Sequence, residues 1–365
     1  MALDRKLLGR LVAITAIGAA LLPDPAVSAQ AFQPGRLAIE AVAAMSTSSQ
    51  DVDNPFVFLD LATTFRMSEQ VDVIVRPYAR RLPGGDWDAL FYQAQIRYQP
   101  APHLRVDAGI ISSPLGLGTL ELRQDLNPLV GSPFYYFGPL PGFNRPSDRV
   151  SLISGGYPIG AVLSTSGAWW DARAGVTDGT AARYRKIFAR NNPEPAAQFI
   201  AGGGVTPAPG LRIGAGFAHG PYRQASDNDY YALPETAVIP KADATFFNLE
   251  AEYAFRYTKL TGEWIRDRFE SSPEPAVSRG FYVQGTQTLT PRIFTASRFT
   301  RVNTPTLSGT TRVRRTRTAF ELSGGYRLSP EITLKAGYEG GRRYGATDPW
   351  TNAAVVSVVW AKRWF

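Results

Sequence analysis

The sequence contains no cysteine, which removes disulfides and thiolate metal sites from consideration. Histidine occurs twice, at His103 and His219. With so few imidazoles and no thiol, a transition-metal centre lacks donors, and a Ser-His-Asp arrangement has almost nowhere to find its base. Beyond the N-terminal region no run of 18 apolar residues occurs, so no segment is long enough to cross a membrane as a helix. Lysine is scarce: Lys6, Lys186, Lys241, Lys259, Lys335 and Lys362 are a minority of the 39 basic residues, and arginine supplies the rest. No linker-like shift in composition divides the chain, which argues for one closed unit.

What is present begins with a leader. MALDRKLLGR carries Arg5, Lys6 and Arg10, the apolar run Leu11 to Leu22 follows, and the small residues Val27-Ser28-Ala29 come next. A basic head, a short apolar centre and a small-residue exit make a secretory signal. Its apolar run of 12 residues falls short of the roughly 20 that a spanning helix needs. Residues 1–29 are therefore expected to be removed, leaving residues 30–365 as an exported protein. An exported chain rarely meets nucleic acid, so the sequence's net charge of +8, to which the leader contributes only +1, points to anionic lipid heads or anionic solutes instead.

With 34 Gly, 28 Pro and 12% aromatics, that chain fits many short strands joined by turns better than helices. Alternation with period 2 recurs throughout. Val57, Leu59, Leu61 and Phe65 oppose Asp60, Thr64 and Arg66. Val71, Val73 and Val75 oppose Asp72, Arg76 and Arg80. Leu90, Tyr92, Ala94, Ile96 and Tyr98 oppose Gln93, Gln95 and Arg97. Leu104, Val106 and Ala108 oppose Arg105 and Asp107, Trp170 and Ala172 oppose Asp171 and Arg173, and Leu211 and Ile213 flank Arg212. The clearest run sets Phe247, Leu249, Ala251, Tyr253 and Phe255 against Glu250, Glu252 and Arg256. Phe320, Leu322 and Tyr326 oppose Arg315, Arg317 and Glu321, and Leu334 and Ala336 oppose Lys335 and Glu339. Arg292 to Arg301 shows no clear phase. With segments near 157–165 and 196–206 included, the count is 16 strands.

The connections alternate in length. Short ones fall near 67–70, 99–102, 166–168, 206–210, 257–259, 289–291 and 328–330. Long ones fall at 45–54, 80–87, 113–156, 178–195, 220–242, 269–277, 302–313 and 344–351. The last stretch, Asn352 to Phe365, is apolar and β-branched and has no later partner. Pairing it with the first strand removes both sheet edges. The expected fold is all-β: a transmembrane antiparallel up-and-down barrel, apolar outside and charged within. The third long connection, 113–156, is rich in Pro, Gly and aromatics, and a loop of that length is usually functional. It is expected to fold into the lumen as a constriction. Phe134 to Phe137 would pack on the wall, and Glu121, Arg123, Asp125, Arg145 and Arg149 would face the opening.

Sixteen strands, a terminal phenylalanine and a long third loop make the chain resemble the general bacterial porins. At the loop's start, Gly109 in the strand and then Pro114 and Gly116 are similar to the phosphate-selective porin family. It departs from that family in having no lysine in the third loop. It also departs from the general pattern in placing Arg363 two residues before the end, with Trp364 adjacent. The resemblance implies an outer-membrane location, a homotrimer, and passive passage of small hydrophilic solutes or ions without a cofactor. Inward positions carry slightly more cations than carboxylates, so a mild anion preference is expected. The residues expected to line the passage are Arg76, Arg97, Arg105, Asp107, Glu121, Arg123, Asp125, Arg145, Arg149, Arg173, Arg212, Arg256, Arg315 and Arg317. The alternative is a barrel plugged by its own loop, acting as a surface receptor without steady conductance. Enzyme activity is not expected, because His103 beside a short turn and His219 at a strand's outer end cannot share a site.

Overall fold

The computed structural model describes residues 36–364, apart from 51, 54, 82–86, 112–113, 118–122, 132–136, 140–148, 152–157, 179–195, 224–240, 271–274, 309–310 and 343–349. The signal segment and Phe365 lie outside the described residues. The strands are β1 (Leu37–Ser48), β2 (Phe56–Arg66), β3 (Val71–Arg81), β4 (Trp87–Ala101), β5 (Leu104–Ile110), β6 (Phe137–Pro139), β7 (Arg149–Ser151), β8 (Ile159–Ser166) and β9 (Trp170–Thr177). They continue with β10 (Gln198–Ala208), β11 (Leu211–Arg223), β12 (Ala242–Phe255), β13 (Thr258–Phe269), β14 (Ala276–Thr288), β15 (Ile293–Ser308), β16 (Thr311–Arg327), β17 (Ile332–Arg342) and β18 (Trp350–Trp364).

Sixteen of these close into one antiparallel barrel, each strand paired with its neighbours in sequence and β8 following β5 around the ring. The seam is β1 against β18, in register from Ile39 opposite Trp364 to Ser48 opposite Val355. Closure leaves no unpaired backbone edge, the condition for a sheet to exist in lipid. The remaining strands, β6 and β7, form a small separate hairpin inside the third long connection, which the sequence reading did not foresee.

Burial is inverted relative to a water-soluble sheet. On β12 the outward Phe247, Leu249, Tyr253 and Phe255 are exposed, while the inward Asn248 and Glu250 are buried. The same exchange runs around the ring: Leu59 and Leu61 lie outside and Asp60 inside on β2, and Leu322 lies outside and Glu321 and Ser323 inside on β16. An apolar surface of this extent is stable only against lipid. Exposed aromatics mark both boundaries. Phe65, Tyr98, Phe255, Tyr257 and Tyr326 stand at the short-turn end, and Trp87, Phe199 and Trp350 at the long-loop end.

Three local expectations are corrected. Tyr92 does not share the outward face with Ile96. An irregularity between Arg76 and Pro77 in the β3–β4 register inserts an extra residue there, and a bulge of this kind re-aims side chains. Tyr92 thereby turns inward and stacks on Tyr78 with ring centroids 4.0 Å apart. The stretch 302–313 is not a long loop, because β15 and β16 stay paired out to Ser308 opposite Thr311. Arg256 is not an inward strand residue: β12 ends at Phe255, and Arg256 sits in the turn at a φ of 52°. On β18, Arg363 reaches Glu40 on β1 at 3.5 Å, whereas Trp360 and Trp364 pack on each other.

Candidate functional site

The interior is organised by the segment that leaves β5. Gly116, at a φ of +78°, makes a left-handed turn that a residue with a Cβ would strain. Leu115 is buried beside Gly216 of β11, where a Cβ would come within 3.2 Å of Leu115 Cδ2. The Leu117 amide donates to Glu263 Oε2 on β13 at 3.2 Å. Arg123 donates to Glu40 Oε1 on β1 at 2.9 Å and to Asp125 Oδ2 at 2.7 Å. Burial pulls the Arg123 guanidinium down, but Asp125 and Glu40 outweigh it and hold it above its ordinary value.

Lys335 on β17 then gathers the chain. Its Nζ donates to the Gln124 carbonyl at 2.8 Å and to those of Asn127 and Leu129. Ser323 on β16 donates to the Pro128 carbonyl, and Arg298 Nη2 on β15 donates to the Gly131 carbonyl at 2.9 Å. A Cβ on Gly131 would crowd Glu339 Oε1 and lie 2.6 Å from Glu321 Oε1, so a larger residue there would require these carboxylates to shift. In the ring order, β15 lies diametrically opposite β5. The described part of the connection therefore runs past inward-facing side chains on the far side of the barrel.

The anticipated wall residues form networks of shared charge. Arg76 places Nε on Asp60 at 2.9 Å, and both are buried. Arg97 and Arg105 both place Nε on Asp107, at 2.9 and 2.8 Å. Arg212 meets Asp171 at 2.8 Å and Glu250 at 2.7 Å, and Arg173 reaches Glu250 at 3.3 Å. The sequence spacing pairs Asp171 with Arg173 two residues on, yet that contact is 4.0 Å. Arg212 on β11 reaches Asp171 on β9 across β10, where Gly204 stands opposite Asp171 and leaves the guanidinium room: a Cβ there would lie 2.8 Å from Arg212 Nη2. Arg317 is half-buried on β16. Glu121 and Arg145 fall outside the described residues, and so do the Arg149 and Arg315 side chains on β7 and β16. Phe134 to Tyr136 and the Phe137 side chain are also outside them.

Two interior residues make contacts that strand alternation does not reveal. Arg298 is fully buried and bound by both Glu321 oxygens, at 2.6 and 2.7 Å, with Gln284 at 3.2 Å. The signal was there: Phe294, Ala296, Arg298, Thr300 and Val302 are one face of β15, masked by polar Thr295, Ser297 and Arg301 on the other. Alternation places Lys335 inward, but nothing local marks it as the anchor of a loop over 200 residues away in sequence.

Two cavities flank the loop segment. One, of about 490 Å³, lies against β3, β4, β5, β8 and β9 and is lined by Arg76, Arg97, Arg105, Arg123 and Arg173, with Asp107 the one carboxylate among the described lining residues. The other, of about 390 Å³, lies against β12 to β17, where Asp125 and Glu252 stand among Lys259, Arg327 and Lys335.

No protein-family model and no curated protein sequence matches this chain. Solved structures do. A loop-deletion form of OmpT, an outer membrane protein of Vibrio cholerae, superposes with a TM-score of 0.54 at 11% identity, covering 90% of this chain and 98% of that one. An anion-selective porin from Comamonas acidovorans gives 0.52 at 12% identity, covering 90% and 99%. Salmonella typhi OmpF in complex with daunomycin gives 0.54 at 9% identity, covering 90% and 97%. The fold is that of a 16-stranded porin-type outer-membrane barrel. At these identities the likeness is one of architecture. In this porin-type barrel the charged interior is assembled from residues read off this chain alone.

Proposed function

We propose that this porin-type barrel lets small hydrophilic solutes and ions diffuse passively across a bacterial outer membrane, with a mild preference for anions. The supporting observation is the larger cavity, where five arginines stand against one carboxylate among the described lining residues. Uneven fixed charge along a passage sets ion preference. On this reading the 113–156 connection is the constriction, and Arg76, Arg97, Arg105, Asp107, Arg123, Asp125, Arg173, Arg212 and Arg317 tune what passes. Arg256 is set aside as a turn residue. No catalysis is part of this reading: exposed His103 lies in the β4–β5 turn, and His219, bonded to Thr245 Oγ1 at 3.1 Å, lies toward the far end of β11.

Planar-bilayer recording tests it. Steady single-channel conductance is expected, with a reversal potential in a salt gradient displaced toward the anion. A cation-displaced reversal would overturn the preference. The second reading, a loop-plugged surface receptor, is favoured by the several anchors on the loop at Lys335, Arg298 and Arg123. Electrical silence from correctly folded protein would select it. A form of V. cholerae OmpT is described as a trimer, which supports a homotrimer here. Native mass spectrometry from mild detergent should then show three copies.

A further inference from the structure

The outer surface of the barrel is not uniform. Toward the long loops its outward face carries Arg266 and Arg268 on β13, Arg279 on β14 and Arg301 on β15, all exposed. Cross-strand partners fix their direction: Arg266 stands opposite outward Phe247 and opposite Arg279, Arg279 opposite Asn303, and Arg301 opposite Phe281. Outward positions of β1, β2, β8, β9 and β10 carry no charged side chain. None of the four arginines forms an ion pair among the described residues, and the rim carboxylate Glu270 takes the Asp243 amide instead, at 3.3 Å. Like charges directly opposite one another destabilise a sheet, so Arg266 beside Arg279 calls for an anion from outside the chain. Arg279 and exposed Leu289 in the β14–β15 turn are ten positions apart. At the usual rise and tilt that is roughly 25 Å along the axis, the height of an apolar band. Long loops face away from the cell, so these arginines reach the headgroups of the outer leaflet. Below them the surface is open at Gly285 and Gly324. A Cβ on the first would meet Leu260 Cδ2 at 3.4 Å and Ser297 Oγ at 4.0 Å, and one on the second nothing within 4 Å.

We propose that the outer face of β13 to β15 at the long-loop end docks a phosphorylated lipid of the outer leaflet. Arg266, Arg268, Arg279 and Arg301 hold its phosphates, and an acyl chain lies over Gly285 and Gly324. A guanidinium fork offers several donors to phosphate oxygens, and the apolar strands beneath keep headgroup and chain at one place on the wall. The surface lies outside the barrel and supposes nothing about what passes through it.

The experiment is native mass spectrometry of the folded protein in mild detergent, with bisphosphorylated lipid A in one arm and the same lipid stripped of its phosphates in the other. Folding is checked by heat-modifiable gel migration. Lipid adducts are expected in the phosphorylated arm and about tenfold fewer in the stripped arm. Arg266→Gln with Arg279→Gln should weaken retention of the phosphorylated lipid about tenfold or more. Arg266→Lys with Arg279→Lys, which keeps both charges, should retain most of it. Arg292→Gln, exposed at the short-turn end, should leave it unchanged. Equal retention of the two lipids, or retention that the glutamine pair does not alter, would overturn the surface. Loss of subunit association in the glutamine pair, with lipid retention intact, would also overturn it and give this face to a second copy of the chain.

Discussion

Arg298 on β15 and Gly131 in the long connection meet at 2.9 Å, guanidinium to backbone carbonyl, 167 residues apart in sequence. The same guanidinium is clasped by both Glu321 oxygens and is shut off from solvent. One buried cation therefore joins two strands of the wall to the segment lying against them.

Removing that cation should be severe. Arg298→Met leaves Glu321 buried and uncompensated, which typically costs about 3–5 kcal/mol. Urea unfolding followed by gel mobility should show the loss. Arg298→Met with Glu321→Leu should recover most of it, because breaking a buried pair costs more than replacing it. Equal loss in the single and double variants would exclude this account.

Lys335→Met should release the loop without opening the barrel. The Nζ holds three loop carbonyls, so its loss strands three acceptors and removes the tie to β17. The absence of cysteine permits a clean assay. Leu129→Cys, at a position 1% exposed, should resist a thiol reagent alone and react roughly tenfold faster when combined with Lys335→Met. Unchanged reactivity would mean that other contacts suffice.

Arg123→Glu should bring three carboxylates together where Arg123 now bridges Glu40 and Asp125. Repulsion at such range is favourable to no folded loop. The expected outcome is noisier channel current and a reversal potential shifted toward cations, with the barrel still folded. An unchanged reversal potential would remove Arg123 from the ion path.

Arg256→Asn should stabilise the barrel by roughly 0.5–1 kcal/mol. Arg256 holds a left-handed backbone that costs an ordinary residue about 1–2 kcal/mol, and asparagine adopts it more readily. A higher urea midpoint, at unchanged conductance, is the measurement. A lower midpoint would show that its cation–π contact with Phe255, at 5.1 Å, matters more.

The period-2 pattern determined the barrel. Alternation such as Phe247, Leu249 and Tyr253 against Asn248 and Glu250 is local, because successive side chains of a strand must point to opposite faces. The alternation of short turns with long loops, also local, fixed the strand number and order. It misled at the bulge that turns Tyr92 inward, at 302–313, where β15 and β16 stay paired in place of a loop, and at the turn that begins with Arg256. The interior could not be read in this way. Which carboxylate each arginine takes, why Arg298 is fully buried, and why Lys335 holds Gln124 and Leu129 depend on residues far apart in sequence. Closure of the ring brings them within hydrogen-bond reach, and period 2 carries only the direction of a side chain, not what stands across the lumen from it.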